Sequence, residues 1–261
     1  MEVIIRPTAA AAADLVATLI DRAVRQRPDL VLGLATGRTM EAVYALLAER
    51  HRTQGLDFSG CRTFNLDEYV GLPPGDPNAY RYYMERHLFG RINIDRRRTH
   101  LPDGMAADLD AACAAYEQAI ADAGGIDFQL LGIGHDGHIG FNEPLSALRS
   151  RTRVKALTPQ TVAANAPLFD PPTRMPRRAI TMGVGTILDS RRCVLLATGA
   201  SKADILARAV EGPITAMVSA SALQLHPRCT IVVDEAAAAH LQGRDYYRFI
   251  FDNEPEWKAF H

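Results

Sequence analysis

The sequence predicts an α/β protein: a Rossmann-like three-layer fold with a mostly parallel central sheet and a lid segment. Three observations carry this. Short, nearly continuous apolar runs alternate with longer amphipathic stretches, the pattern of strands buried on both faces and joined by crossover helices. Hydrophobic residues make up 48% of the 261 and charged residues 23%, enough to build one large core at this length. No repeat or low-complexity linker divides the chain, so residues 1–261 read as a single domain.

The elements follow in order. Residues 3–6 read as a strand. Residues 9–25 are Ala-rich, with Leu15, Leu19, Ile20 and Val24 at helical spacing. Residues 30–34 are a strand and 39–49 a helix. A strand begins near Cys61 and ends at Asn65. Asn78 is placed to cap a helix reaching about Phe89. Residues 108–123 form an amphipathic helix and 128–133 an apolar strand. Residues 192–198 are a strand, followed by a helix over 202–210. The last clear strand is 230–234, with a helical stretch expected over 235–241. Between them, a connection containing Pro167, Pro171 and Pro172 is too long for a simple loop. It predicts a lid over about residues 158–178.

The net charge of -1 argues against a nucleic-acid or membrane-surface partner. No apolar run reaches the ~18 residues of a membrane span. Glu2 and Pro7 do not suit a signal peptide. Cys61, Cys113, Cys193 and Cys229 are far apart without CxxC spacing, as expected of reduced thiols in a cytoplasmic protein. Lys155, Lys202 and Lys258 are the only lysines.

In an open parallel sheet, ligands bind beyond the carboxyl ends of the strands. Four post-strand loops carry chemistry. The turn Thr36-Gly37-Arg38-Thr39 leads into a helix whose free N–H groups favour an anion such as phosphate; a plain turn capped by Thr39 is the alternative. Asn65-Leu66-Asp67-Glu68-Tyr69 sets two acids past a buried strand, suited either to a general base or to helix capping. The loop at 132–144 holds His135, Asp136, His138 and Glu143. Its G-x-G-x-x-G match runs into Gly140, Phe141 and Pro144 rather than a helix, which excludes the dinucleotide reading. Its His-x-x-His lacks the fixed helical face of a metal site, so an acid–base set, with Asp136 orienting His138, is preferred. Lys202 starts a helix after a strand and can reach over the crevice toward a phosphate.

Together these loops resemble the glucosamine-6-phosphate deaminase (glucosamine/galactosamine-6-phosphate isomerase) family. The matching segments include Leu32-Gly33-Leu34-Ala35-Thr36-Gly37, Thr63-Phe64-Asn65-Leu66-Asp67-Glu68-Tyr69-Val70-Gly71-Leu72 and Gly134-His135-Asp136-Gly137-His138-Ile139-Gly140-Phe141-Asn142-Glu143-Pro144. Ser150-Arg151-Thr152-Arg153, Met182-Gly183-Val184-Gly185-Thr186 and Leu223-Gln224-Leu225-His226-Pro227 continue them in family order. The resemblance implies conversion of glucosamine 6-phosphate and water to fructose 6-phosphate and ammonia, without metal or cofactor. It implies Asp67 as the enolisation base and His138 as the ring-opening group, supported by Asp136 and Glu143. Lys202 and Thr36, Gly37, Arg38 and Thr39 would hold the phosphate. It further implies a homo-oligomer, with a hexamer favoured, and N-acetylglucosamine 6-phosphate as activator at Ser146, Arg153 and Lys155.

The sequence departs from the family at several points. Pro167 stands where a phosphate-binding arginine is usual, Arg38 where a small residue is usual, His135 where Asn is common, and Ala156 where a hydroxyl is usual. Arg38, then Arg174, are the expected replacements for the missing arginine. The competing functions are a galactosamine-6-phosphate deaminase, a 6-phosphogluconolactonase, which does not need the Asp67 loop, and a non-catalytic sugar-phosphate-sensing domain, which would lose the acids.

Overall fold

The structure is a computed structural model and describes residues 1–260. The chain begins β1 (Glu2–Arg6), α1 (Ala9–Gln26), β2 (Val31–Leu34), α2 (Arg38–Gln54), β3 (Arg62–Asn65) and β4 (Asp67–Tyr69). It continues α3 (Tyr80–His87), β5 (Thr99–His100), α4 (Leu109–Asp122), β6 (Phe128–Leu131), β7 (Arg153–Ala156) and α5 (Pro159–Asn165). β8 (Arg178–Thr181), α6 (Val184–Leu188), β9 (Cys193–Ala197), α7 (Ala203–Val210), β10 (Cys229–Asp234) and α8 (Arg244–Asn253) complete it.

Seven strands form one sheet in the order β1-β10-β9-β6-β2-β3-β5, and every neighbouring pair is parallel. Every residue of β2, β6, β9 and β10 is buried, which is why these strands read as unbroken apolar runs. α1 shows how a helix joins this core. Thr8 caps it, its Oγ1 accepting from Ala11 N at 3.1 Å, and Leu15, Leu19, Ile20 and Val24 form its buried stripe. From β2 the chain steps outward through β3 and β5. From β6 it steps the other way through β9 and β10. The reversal opens a crevice at the carboxyl ends of β2 and β6.

A second sheet, β4-β8-β7, is antiparallel. These strands escape a reading by periodicity because they are three or four residues long and two of them are largely polar. Around them Tyr69, Leu72, Ala79, Phe141, Leu157, Phe169 and Met175 make a small core of their own. The segment expected as a lid joins β7 to β8. It holds α5 and two 3-10 turns, Ala166–Leu168 and Pro172–Arg174, rather than an extended loop.

Two sequence expectations need correction. Asn78 does not cap α3: the cap residue is Ala79, which offers no side-chain acceptor, and the Glu68 carboxylate takes the first N–H groups instead. Residues 235–240 form turns, and the helix lies further on, as α8. Its exposed Tyr246 and Phe249 blur the apolar periodicity there. All four cysteines are buried and free. Among the described residues no helix is long and apolar enough to cross a membrane.

Candidate active site

β9, β6, β2 and β3 are consecutive neighbours in the parallel sheet. The four loops singled out in the sequence therefore leave the same edge side by side.

The loop after β6 is built around His138. Its Nδ1 lies 2.7 Å from Asp136 Oδ1 and 3.3 Å from Glu143 Oε2. Asp136 Oδ1 also accepts from the His138 backbone N–H at 3.1 Å, a local turn that holds carboxylate and ring together. Gly134 makes room for the ring: a Cβ there would stand 2.2 Å from His138 Nε2. Burial opposes charge on the imidazole, but Asp136 and Glu143 outweigh it and push the pKa up to about 9. Burial also disfavours the Asp136 carboxylate, yet His138 brings it down to about 2. The ring is thus a stored imidazolium.

Glu143 is 2% exposed, and its two oxygens lie 3.4 and 3.3 Å from the Thr158 N–H and hydroxyl. Thr158 caps α5, so this carboxylate touches the first residue of the lid segment.

Asp67 and Glu68 lie on β4 with opposite surroundings. Glu68 accepts from Tyr69 N at 2.9 Å, Tyr80 N at 3.0 Å and Arg81 N at 2.9 Å. It is the anionic cap of α3. No hydrogen bond among the described residues reaches the Asp67 carboxylate. Burial, reinforced by Glu68 and partly relieved by His138, pushes Asp67 up to about 8. Gly140, at φ 56°, packs close by: a Cβ there would stand 3.3 Å from Asp67 Oδ2.

Lys202 ends the 3-10 turn Ala200–Lys202 and its Nζ donates to Ile133 O at 2.8 Å. Burial lowers its pKa and Asp136 partly offsets this. The turn is anchored by Asp234, whose carboxylate accepts from Gly199 N at 2.9 Å and Ala237 N at 2.8 Å.

Gly37, at φ 116°, is the N-cap of α2 and brings no capping side chain. Met40 N donates back to Gly37 O at 2.9 Å, while the N–H groups of Arg38 and Thr39 have no partner inside the helix. Arg38 is exposed and, among the described residues, in no ion pair. Arg174 is committed elsewhere, to Asp76 Oδ2 at 2.9 Å. Ser146 and Arg153 sit behind the His138 loop. Arg153 Nη1 donates to Asn142 Oδ1 at 2.8 Å, while Arg153 Nη2 and Ser146 Oγ are buried without hydrogen-bond partners among the described residues. Lys155 lies half-buried on β7.

Asp136, His138 and Glu143 hold one nitrogen and two carboxylates within 4.8 Å of one another, a set that could take a cation. The 2.7 Å between His138 and Asp136 is the spacing of a close ion pair. Two donors at ~2.0–2.2 Å on one tetrahedral zinc stand roughly 3.3 Å apart.

A doubly-wound parallel sheet with an acid–histidine–acid cluster and an uncapped helix start at its crevice defines a class of α/β enzymes that act on phosphorylated small molecules. The chain belongs to the glucosamine-6-phosphate isomerase/6-phosphogluconolactonase family, whose model matches residues 6–231. It is 52% identical over 259 residues to a glucosamine-6-phosphate deaminase of Arthrobacter sp. strain FB24, covering 99% of this chain and 100% of that one. It is 50% identical over 260 residues to a glucosamine-6-phosphate deaminase of Streptomyces coelicolor, covering 99% and 100%. A monomeric glucosamine-6-phosphate deaminase of known structure superposes with a TM-score of 0.90 at 43% identity, over 92% of this chain and 100% of that one. A 6-phosphogluconolactonase from Trypanosoma brucei, at 19% identity and a TM-score of 0.75, shares the fold.

Proposed function

We propose that this protein is a glucosamine-6-phosphate deaminase, converting glucosamine 6-phosphate and water to fructose 6-phosphate and ammonia. The carrying observation is the pairing of a buried Asp67, pushed up to about 8, with a His138 held charged at about 9. Between about pH 8 and 9 such a pair offers an ionised base and a loaded acid in one crevice.

The chemistry follows from the roles. The Thr36, Gly37, Arg38 and Thr39 turn and Lys202 hold the phosphate dianion. His138, with Asp136 and Glu143, handles the ring-oxygen proton on opening. Asp67 takes the C2 proton, and the resulting enolamine is reprotonated at C1. Water then adds at C2 and ammonia leaves. No step asks for a metal or an organic cofactor.

The finer expectations belong to the same proposal: one domain with a lid at about 158–178, a cytoplasmic location, no nucleic-acid or membrane partner, and a homo-oligomer with a hexamer favoured. N-acetylglucosamine 6-phosphate would act at Ser146, Arg153 and Lys155. The unpartnered Arg153 Nη2 and Ser146 Oγ support an anion there, and the Arg153–Asn142 bond gives it a route to Glu143.

The test is ammonia release from a panel of amino-sugar phosphates, with and without N-acetylglucosamine 6-phosphate, alongside the mass of the particle in solution. Glucosamine 6-phosphate should be the preferred substrate. Preference for the galactosamine epimer, or lactone hydrolysis without ammonia release, would overturn the assignment.

A further inference from the structure

The Ala35–Gly37 turn is gripped by phenols. The Tyr83 hydroxyl donates to Gly37 O at 2.9 Å, and the buried Tyr44 hydroxyl donates to Ala35 O. Gly37 O also accepts from Met40 N at 2.9 Å, so the Tyr83 phenol is the second donor on this carbonyl and the one that comes from outside α2. At φ 116° Gly37 has no side chain to add to them, and a Cβ there would meet nothing within 4 Å. In a trans peptide the C=O and the following N–H point in opposite directions. A hydroxyl on α3 that holds the Gly37 carbonyl therefore turns the Arg38 N–H away from α3. Tyr83 itself is well seated: its ring stacks on His87 at 4.4 Å and meets Tyr44 edge-on at 6.4 Å. Burial raises its phenol, which keeps the donor proton in place. The N-terminus of the same helix, one turn before Tyr83, is held by Glu68, the neighbour of Asp67.

We propose that Tyr83 is a positioning residue for the anion-binding turn, and that α3 acts as a strut between that turn and the Asp67–Glu68 strand. The proposal rests on the reading of residues 36–39 as the phosphate turn. The Tyr83–Gly37 bond holds the Arg38 N–H in its binding orientation, and the Glu68 cap holds Tyr83 in reach of Gly37.

The test is Tyr83→Phe, which keeps the ring and removes the hydroxyl. Inorganic phosphate binding is measured by calorimetry on the full chain, without turnover. KM and kcat for glucosamine 6-phosphate and kcat/KM for free glucosamine are measured in parallel. The phosphate Kd and the KM should rise together by about three- to tenfold, the loss of one hydrogen bond. The kcat and the free-glucosamine value should hold. Glu68→Gln should weaken phosphate binding through the same helix, and the double variant should lose less than the sum. An unchanged phosphate Kd in Tyr83→Phe overturns the proposal, as does a KM rise of equal size for free glucosamine. Additive losses overturn the strut. The reading it rests on fails separately: wild-type protein that binds phosphate but releases no ammonia removes the deaminase and leaves the turn intact.

Discussion

Asp67 and Glu68 are adjacent carboxylates with separate partners: Glu68 accepts three backbone N–H groups, while Asp67 accepts none among the described residues and rises to about 8. Side chains alternate faces along a strand, so β4 turns one acid toward the start of α3 and the other toward the crevice. One stabilises the scaffold, and the other is left with the proton affinity of a base.

The first prediction is kinetic. Asp67→Asn should lower kcat by about 10²–10⁴-fold while inorganic phosphate still binds with near wild-type affinity. Rapid-quench and binding measurements separate the two. A mutant that keeps most of its kcat removes Asp67 as the base.

The pH profile follows from the same pair. On the proposed roles, the reaction needs Asp67 ionised and His138 charged. The kcat/KM should therefore rise toward about pH 8 and fall beyond about pH 9, as the two pKa values imply. The His138 charge lowers the Asp67 pKa, so His138→Gln should move the residual acidic limb upward. A limb that stays put would uncouple the two residues.

Asp136→Asn tests the imidazolium. His138 is raised from 6.5 to about 9, so its charged form stabilises the fold fully below about pH 6.5, and this is lost as pH rises through about 9. Asp136 is lowered from 3.8 to about 2, so its contribution is present above about pH 3.8 and lost as pH falls toward 2. The variant should therefore lose most stability, about 1–3 kcal/mol for a part-buried charge-assisted hydrogen-bond partner, between about pH 4 and 6.5. The melting difference should shrink by pH 9 and above. Histidine NMR should report the His138 pKa falling back toward its ordinary range.

Gly134→Ala should cost activity out of proportion to size. The new methyl would stand 2.2 Å from His138 Nε2, so the ring must leave Asp136. We expect kcat/KM to fall by at least about tenfold, near 1.4 kcal/mol, with the His138 pKa lowered in the same NMR titration. A variant with wild-type kcat/KM and an unshifted ring would refute the contact.

Arg38→Ser addresses the phosphate. Arg38 heads α2, is exposed, and carries no ion pair among the described residues, so it can meet an incoming anion; Arg174 is already held by Asp76. The KM for the phosphorylated substrate should rise about tenfold, ~1.4 kcal/mol, with kcat spared. An unchanged KM leaves the phosphate to Lys202 and the backbone.

Much of this architecture is legible along the chain because it is local. β2, β6, β9 and β10 bury every residue, so their apolar character is independent of which strand lies alongside. Thr8 and Asp108 cap the helices that follow them through contacts three residues long. The loops after β2, β3, β6 and β9 could be named for the same reason, and with them Asp67, Asp136, His138, Glu143 and Lys202. Strand order is a different matter. Hydrogen bonds between β6 and β9 join residues about sixty positions apart, and nothing in the periodicity of either strand specifies the other. The division of labour between Asp67 and Glu68 depends on β4, a three-residue strand that exists because β8 pairs with it. The Tyr83–Gly37 bond spans 46 positions, and the fit of His138 over Gly134 depends on a turn closed by Gly137 at φ 87°. Short-range patterning sets which segments are strands and helices; the distances and burial that set each pKa arise only once those segments are packed against one another.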